Sequence, residues 1–446
     1  MMKTKSWMFG VLFGIGCALA FGQADTFDGA KPRFLNRGIK RRSVLTLSIP
    51  RPRPCQDREV EWVDSQWRGP GRDGVYPGER LSKSWPASGP KTAWSAQGLG
   101  AGYSSPAVTV DRVYLTGMIR GEGILFAFDH SGKKIWQASY GSEWDGSSPG
   151  ARTTPTVIGD KIYLVSAAGN IVCLGTDGKK IWSVNLMKEF GAKNIDWGIT
   201  ESPLVDGDRV FCTPGGPEVL IAALDRHSGK TIWKIRGNGE TSGYCSPRLV
   251  VHNRRRLLLT MSANALVGVD ADTGTLLWRQ SHVTEYDVNA NTPLYLDGKV
   301  YTVSGYGTGG QMFELSADGS GIKRLWAQSA LDSQMGGAVL IDGFIYGSGH
   351  NRRGWQCLDW KTGSVQYTAR ELGNKGAMIA ADGMVYLYSE SGDVALVRPD
   401  PLKFSVVSSF RIKEGSGEHW AHPVIKNGRL YVRHGDVLMV YQIADE

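Results

Sequence analysis

A pair of alternating phrases runs through most of this chain and constrains its fold more than any other feature. The first phrase enters a short strand at small residues or Ser/Thr-Pro, makes a polar turn and continues into a second strand. Its copies begin at positions 104, 153, 201, 245, 291, 336, 376 and 421. The spacing of about 40 to 50 residues is the length of one four-stranded propeller blade. The eight copies therefore predict eight blades.

The second phrase is a polar turn followed by a strand that ends in an aromatic residue, as in HSGKTIW at 227–233. An indole ring offers a large flat surface that can bury against a neighbouring blade, so we expect the tryptophans of this phrase to be structural docking residues. These tryptophans are Trp94, Trp136, Trp182, Trp233, Trp278 and Trp326, and the phrase recurs with Tyr367 and Phe410. We expect the turn glycines, such as Gly229, to adopt positive φ angles. The turn aspartates, such as Asp225, are expected to accept backbone N–H groups.

The first and last copies of the phrases are complementary. The aromatic strand at about 91–96 precedes the first Ser-Pro phrase, whereas no such strand follows the last repeat. Ring closure removes the unpaired strand edges that an open array would leave. The sequence therefore predicts an all-β, eight-bladed β-propeller over residues 62–446, closed by this N-terminal strand in the C-terminal blade.

The first 61 residues have a different composition. Lys3 and Lys5 precede an apolar run at 7–22, which is shorter than the ~20 residues of a spanning helix. Residues 1–24 are therefore predicted to be a signal peptide, and the basic, Pro-containing stretch 25–61 a flexible linker. We expect an exported, periplasmic or extracellular monomer, with membrane anchoring as an alternative. The net charge is +8, of which +7 lies in residues 1–60, so the propeller itself shows no sign of nucleic-acid binding.

The phrases resemble a known repeat. AFDHSGKKIW (127–136), ALDRHSGKTIW (223–233) and GVDADTGTLLW (268–278) are similar to the pyrroloquinoline quinone (PQQ)-like repeat of quinoprotein alcohol dehydrogenase-like propellers. The opening QWRGPGRDG (66–74) resembles the start of a secreted bacterial subgroup of these propellers. The resemblance implies either a quinone dehydrogenase or a cofactor-free scaffold of the kind represented by the outer-membrane-barrel assembly lipoprotein.

Two departures from the dehydrogenase pattern favour the scaffold. Those enzymes carry two adjacent cysteines over the quinone, and no two cysteines are adjacent here. They also hold Ca²⁺ with a Glu, an Asn and an Asp, and this set does not align with the loops of this chain. We therefore predict no bound cofactor and no metal, with PQQ and Ca²⁺ as the alternative.

Candidate site residues lie in the connections between the outer strand of one blade and the inner strand of the next. These connections are rich in glycine, polar residues and aromatics, which suits a small ligand or an extended peptide. The candidates for the ligand face are Tyr103, Arg152, Asp196, Trp197, Glu201, Tyr244, Asn289, Asn291, His419 and His422.

Three functional hypotheses follow from these observations. The first is a non-catalytic binding or scaffolding module for a protein, a glycan or a small ligand. The second is a PQQ- and Ca²⁺-dependent dehydrogenase in which Asp196 or Glu201 acts as general base on an alcohol or a sugar. The third is carbohydrate binding through Trp144, Trp197 and Trp420, which requires that these rings be exposed on one face.

Overall fold

The computed structural model describes residues 63–78 and 80–444. The predicted signal peptide at 1–24 and linker at 25–61 lie outside these residues, so both remain predictions. Helical structure in the described part comprises one α-helix, α1 (Leu186–Phe190), and one 3₁₀ turn (Glu285–Asp287). None of the helical segments within 63–78 and 80–444 has the length and apolar character that crossing a bilayer requires.

Short strands make up almost all of the regular structure. In chain order they are β1 (Val75–Tyr76), β2 (Thr92–Ala96), β3 (Ala107–Val108), β4 (Val113–Ile119), β5 (Glu122–Phe128), β6 (Lys134–Ser142), β7 (Thr156–Ile158), β8 (Lys161–Val165), β9 (Asn170–Gly175), β10 (Lys180–Asn185), β11 (Leu204–Asp206), β12 (Arg209–Cys212), β13 (Ile221–Asp225), β14 (Thr231–Ile235), β15 (Arg248–His252), β16 (Arg255–Met261), β17 (Ala265–Asp270), β18 (Thr275–Ser281), β19 (Leu294–Leu296), β20 (Lys299–Ser304), β21 (Gly309–Leu315), β22 (Ile322–Gln328), β23 (Ala338–Ile341), β24 (Phe344–Ser348), β25 (Trp355–Asp359), β26 (Val365–Ala369), β27 (Gly376–Ala381), β28 (Met384–Ser389), β29 (Asp393–Arg398), β30 (Ser405–Arg411), β31 (Val424–Lys426), β32 (Arg429–His434) and β33 (Val437–Gln442).

These strands form eight sheets, which are the eight blades of a β-propeller. Strands β3 to β6 form the first blade, and each following group of four, up to β23–β26, forms the next. The seventh blade is β27–β30, with β1 added beside its innermost strand, and the eighth has the order β2-β33-β32-β31. The predicted eight-bladed propeller is confirmed.

The closing strand also lies where the sequence predicts. Strand β2 pairs antiparallel with β33, and Trp94 faces Val440 across this pair. The N-terminal strand therefore completes the C-terminal blade, and β33 is paired on both edges, with β32 and with β2.

The outermost strand of each blade carries a β-bulge near its aromatic residue. In β14, Trp233 pairs with Ala223 and Thr231 pairs with Leu224, so Ile232 has no cross-strand partner. A bulge adds one residue to a strand and increases its local twist. Ile232 is exposed here, whereas the ring of Trp233 packs against Gly274 of the next blade.

The docking of one blade on the next explains the recurring phrase. A Cβ atom at Gly229, in the turn of the third blade, would lie 2.8 Å from the ring of Trp182 in the second blade. The indole Nε1 of Trp182 donates to the carbonyl of Arg226 in the same turn, at 2.9 Å. The same pairing of a tryptophan with the turn glycine of the next blade recurs at Trp94 and Gly132, Trp136 and Gly178, Trp233 and Gly274, and Trp326 and Gly363. The turn of one copy therefore receives the tryptophan of the preceding copy.

A segment that lies outside the repeats crosses the centre of the ring. We call residues 65–76 the channel segment. Ser65 at its start pairs with Val157 of β7 in the second blade, whereas Val75 near its end lies parallel to β27 of the seventh. Because β7 and β27 are innermost strands, the chain between them spans the central channel.

Two buried arginines anchor the channel segment to the walls of the channel. Arg72 donates to the carbonyls of Ser202 and Pro203, at 2.5 and 3.1 Å. Arg68 donates to the carbonyl of Ala338 at 2.7 Å. The two arginines thus donate hydrogen bonds to backbone carbonyls at the innermost strands. The channel segment therefore closes the central channel.

Candidate functional site

A pocket of about 390 Å³ lies at the mouth of the channel, above the channel segment. It is formed by the loops that enter seven of the eight blades, together with the β20–β21 connection. Its lining residues are Trp67, Tyr103, Ser147, Ser148, Arg152, Trp197, Thr200, Ser202, Tyr244, Ser246, Val288, Ala290, Tyr306, Gln334, Met335, Trp420 and His422. Its volume lies within the roughly 300–1,000 Å³ that is typical of small-molecule sites.

The floor of the pocket is made by Trp67 of the channel segment and His422 of the eighth blade. Their ring centroids lie 4.7 Å apart, and the indole Nε1 of Trp67 donates to Oγ1 of Thr292 at 3.2 Å. His422 is buried and Trp67 is half-buried, and each is held by contacts to a different blade. The floor is therefore a fixed part of the closed ring.

His422 is held as a neutral ring by its two partners. Arg68 Nη1 donates to Nδ1 at 2.9 Å, and Nε2 donates to the carbonyl of Met335 at 2.8 Å. Burial, followed by the positive charge of Arg68, lowers the pKa of His422 to about 3. A ring with one accepting and one donating nitrogen is satisfied here, so His422 offers the pocket a flat surface and no free ring nitrogen.

Two aromatic pairs form the walls. The ring centroids of Tyr103 and Trp420 lie 5.0 Å apart, and those of Trp197 and Tyr244 lie 6.1 Å apart. Such offset, tilted pairs bury apolar area while leaving a ring face available to a ligand. The guanidinium of Arg152 lies 5.7 Å from the Tyr103 ring centroid.

Arg152 is positioned by its own loop. Its Nη1 donates to the carbonyl of Gly150 at 3.0 Å and its Nη2 to that of Ser148 at 2.6 Å. Burial lowers the pKa of Arg152 from its ordinary value, and nearby Tyr103 opposes this shift. The indole Nε1 of Trp197 donates to Oγ of Ser147 at 3.0 Å, which ties this loop to the connection into the third blade.

Five of the ten predicted ligand-face residues line this pocket: Tyr103, Arg152, Trp197, Tyr244 and His422. Trp420, predicted as a carbohydrate contact, lines it as well, whereas Trp144 does not. Whether these side chains bind a ligand stays a prediction, but the fold brings them to one cavity.

The other five predicted residues lie elsewhere. Asp196 is exposed to solvent outside the pocket. Asn289 and Asn291 are buried, and their amides donate to backbone carbonyls such as those of Ser262 and Val303. Their polar groups therefore satisfy the backbone of the blade connections.

Glu201 and His419 are also engaged within the protein. Glu201 is buried and accepts the backbone N–H and the hydroxyl of Thr213. Burial raises the pKa of Glu201 to about 7. His419 stacks on His434 with centroids 3.7 Å apart and contacts the Tyr388 hydroxyl through Nδ1 at 2.5 Å. Burial, followed by His434, lowers the pKa of His419 to about 4.

Comparison with known proteins places the chain in a family. A family model described as the outer membrane protein assembly factor BamB matches residues 121–369, which is more than half of the chain. The chain belongs to this BamB family. No match was found among curated proteins.

Solved structures that resemble this member of the BamB family include a BamB protein and two quinohemoprotein alcohol dehydrogenases. BamB from Moraxella catarrhalis is 17% identical with a TM-score of 0.57, and the match covers 79% of this chain and 99% of that one. Quinohemoprotein alcohol dehydrogenase from Comamonas testosteroni is 13% identical with a TM-score of 0.63, covering 86% and 81%. The quinohemoprotein alcohol dehydrogenase ADHIIG from Pseudomonas putida HK5 is 12% identical with a TM-score of 0.61, covering 84% and 79%. At these identities, the likeness establishes the shared fold.

The pocket of this BamB family member does not have the donor set of a calcium–quinone pair. Calcium takes about 6 to 8 oxygen ligands, among which carboxylates are usual. The residues that line the pocket include the cation of Arg152 and no carboxylate. Residues 63–78 and 80–444 contain no group of three or more His, Cys, Asp or Glu placed to hold a metal.

Sequence reasoning missed the role of the channel segment. Trp67, Ser202 and Ser246 line the pocket and were not among the predicted site residues. The stretch QWRGPGRDG, with one tryptophan and two arginines outside the repeat period, is the signal that could have identified this segment.

Proposed function

We propose that this protein is a non-catalytic binding propeller that holds a small ligand in the aromatic pocket at its channel mouth. One observation carries this proposal. The pocket is preformed by loops from most of the blades, closed beneath by the channel segment and lined by aromatic rings with a few polar groups. This combination is typical of a ligand-binding site.

The lining chemistry favours binding over catalysis. General acid–base work needs a titratable group within hydrogen-bond reach of the substrate. His422 lines the pocket, but both of its ring nitrogens are already hydrogen-bonded within the protein. Glu201 lies outside the pocket and is hydrogen-bonded to Thr213. The dehydrogenase hypothesis, with Asp196 or Glu201 as general base, is the less supported one for this reason. We also propose that the protein needs no cofactor and acts after export.

A scaffold for protein assembly is the second candidate. The observation in its favour is the match to a family described by an outer membrane protein assembly factor. A propeller of eight blades presents broad faces on which a protein partner can dock. This candidate predicts binding that depends on surface loops and leaves the pocket open.

The experiment is a thermal-shift screen of the purified protein against small molecules and oligosaccharides. A ligand at about 100 times its dissociation constant adds ~2.7 kcal/mol to the free energy of unfolding, which raises the melting temperature. Trp420→Ala removes a wall of the pocket, and Leu402→Ala, at an exposed apolar residue outside the pocket, is the control. We expect a hit that is lost in Trp420→Ala and kept in Leu402→Ala. Hits unaffected by Trp420→Ala, or turnover of an alcohol or sugar by the protein alone, would contradict the proposal.

A further inference from the structure

The polar side chains at the base of the pocket are arranged to donate hydrogen bonds. The Oγ of Ser202 accepts the backbone N–H of Thr154 at 3.0 Å, and the Oγ of Ser246 accepts that of Ser202 at 2.9 Å. Both serines are buried. Each hydroxyl oxygen already uses one of its two lone pairs in this way, and the proton of each hydroxyl can be donated to a ligand.

The side-chain acceptors of the lining are largely used by the protein. Nδ1 of His422 accepts from Arg68. The amide oxygen of Gln334 accepts from Nζ of Lys375 at 2.9 Å, while its nitrogen donates to the Tyr306 hydroxyl at 2.7 Å. A ligand that fits this lining must therefore bring acceptors of its own.

The charge of the pocket is positive. Within the described part of the chain, Arg152 has no carboxylate at ion-pair distance, although its guanidinium makes two bonds to backbone carbonyls. The nearby acid that acts on it through space is Glu143, which is bonded to the Tyr140 hydroxyl and the backbone N–H of Ala167. Burial raises the pKa of Glu143 to about 7, so this carboxyl gives Arg152 only partial neutralisation. A half-buried guanidinium with donors to spare matches a carboxylate.

We propose that the pocket recognises a carboxylate carried on a ring, with the carboxylate on Arg152 and the ring between the Tyr103–Trp420 and Trp197–Tyr244 pairs. This inference rests on the proposed binding function and specifies the ligand class of the same site. Uronic acid sugars and aromatic acids both carry this chemistry. The hydroxyls of Ser202 and Ser246 lie at the base of the pocket, where they can donate to ligand oxygens.

The test is calorimetric titration of the protein with two matched pairs of probes. The sugar pair is digalacturonate and the corresponding neutral digalactoside, and the aromatic pair is 4-hydroxyphenylacetate and its neutral alcohol. We expect the acid of at least one pair to bind at least about tenfold more tightly than its neutral counterpart, as a charge-assisted hydrogen bond predicts. The pair that shows this preference identifies the source of the carboxylate.

Three variants assign the preference to Arg152. Arg152→Gln should abolish the difference between acid and neutral probe, and Arg152→Lys, which keeps the charge, should retain part of it. Arg324→Gln, at an exposed arginine of an outer strand, is the control and should leave binding unchanged. Melting temperatures of the three variants establish that each is folded before it is titrated.

Two results would overturn the inference. Equal affinity for acid and neutral probes that is lost in Trp420→Ala would keep the binding pocket and refute its preference for an anion. Absence of binding by both acids would refute the ligand class. The proposed binding function is decided separately, by the thermal-shift screen against small molecules and oligosaccharides.

Discussion

Arg68 in the channel segment donates to Nδ1 of His422, at the entrance to the eighth blade, over 2.9 Å. This bond joins the stretch before the first repeat to the last blade of the ring. It fixes the His422 ring against Trp67, so a contact at the centre of the fold also shapes the pocket floor. Stability of the ring and shape of the pocket are therefore coupled.

Arg68→Met should destabilise the protein and weaken ligand binding together. The substitution leaves the buried carbonyls of Ala338 and Met378 without their donor, and each unsatisfied buried group costs about 1 to 3 kcal/mol. Urea denaturation should show a lower midpoint than for wild type. Arg324→Met is the control for loss of an arginine, and equal midpoints for the two variants would contradict the role of Arg68.

Gly229→Ala tests the docking of one blade on the next. Gly229 has a φ of 72°, and an added Cβ would meet the Trp182 ring at 2.8 Å. Gly207 has a φ of 53° with nothing within 4 Å of an added Cβ, so Gly207→Ala carries the backbone strain without the clash. We expect Gly229→Ala to cost roughly 1 to 3 kcal/mol more than Gly207→Ala in the free energy of unfolding. Similar losses in both variants would indicate that the ring contact is unimportant.

Trp182 and Trp233 form a second matched pair. The Nε1 of Trp182 donates to the next blade, whereas the buried Nε1 of Trp233 makes no hydrogen bond within the described residues. Trp182→Phe should therefore lose about 1 kcal/mol more stability than Trp233→Phe, since only the former gives up a hydrogen bond. Chemical denaturation of both variants measures this difference, and the reverse order would argue against it.

Glu201→Gln should alter how stability depends on pH. Burial raises the pKa of Glu201 from 4.5 to about 7, so the folded protein binds this proton more tightly than the unfolded chain. The free energy of unfolding should consequently fall as pH rises between about 4.5 and 7, by up to ~3 kcal/mol from this one group. The difference between wild type and Glu201→Gln, measured at about pH 4 and pH 8, should show this fall. A difference that does not change with pH would contradict a buried, protonated Glu201.

The ring was predictable because the same local sequence features recur in each repeat. A Gly turn, a strand of alternating apolar residues and a terminal tryptophan recur in register, so the copies near Trp94 and Trp278 reveal the same unit. The closing strand β2 followed from a simple imbalance between the two phrases at the chain ends. Closure is a requirement of sheet edges, and it needs no knowledge of side-chain detail.

The pocket was predictable only in part, because its chemistry depends on contacts between distant residues. Asn289 and Tyr244 occupy similar loops. The side-chain amide of Asn289 donates to backbone carbonyls, whereas the ring of Tyr244 lines the cavity. The channel segment has no repeat period, and its partners are spread over the ring from Val157 to Ala380. Residue type alone does not distinguish these cases, since each is decided by three-dimensional neighbours.

Hydrogen exchange of the channel segment, followed by mass spectrometry in the full-length protein, tests the central claim most directly. The claim is that residues 65–76 fill the channel and make the floor of the pocket. If it holds, the backbone amides of Arg72 and Gly74, which donate to the carbonyls of Gly69 and Arg68, should exchange about as slowly as those of the innermost strands β7 and β27, because they open only with the ring. Exchange at the rate of an unstructured peptide would contradict both the closed channel and the pocket that rests on it.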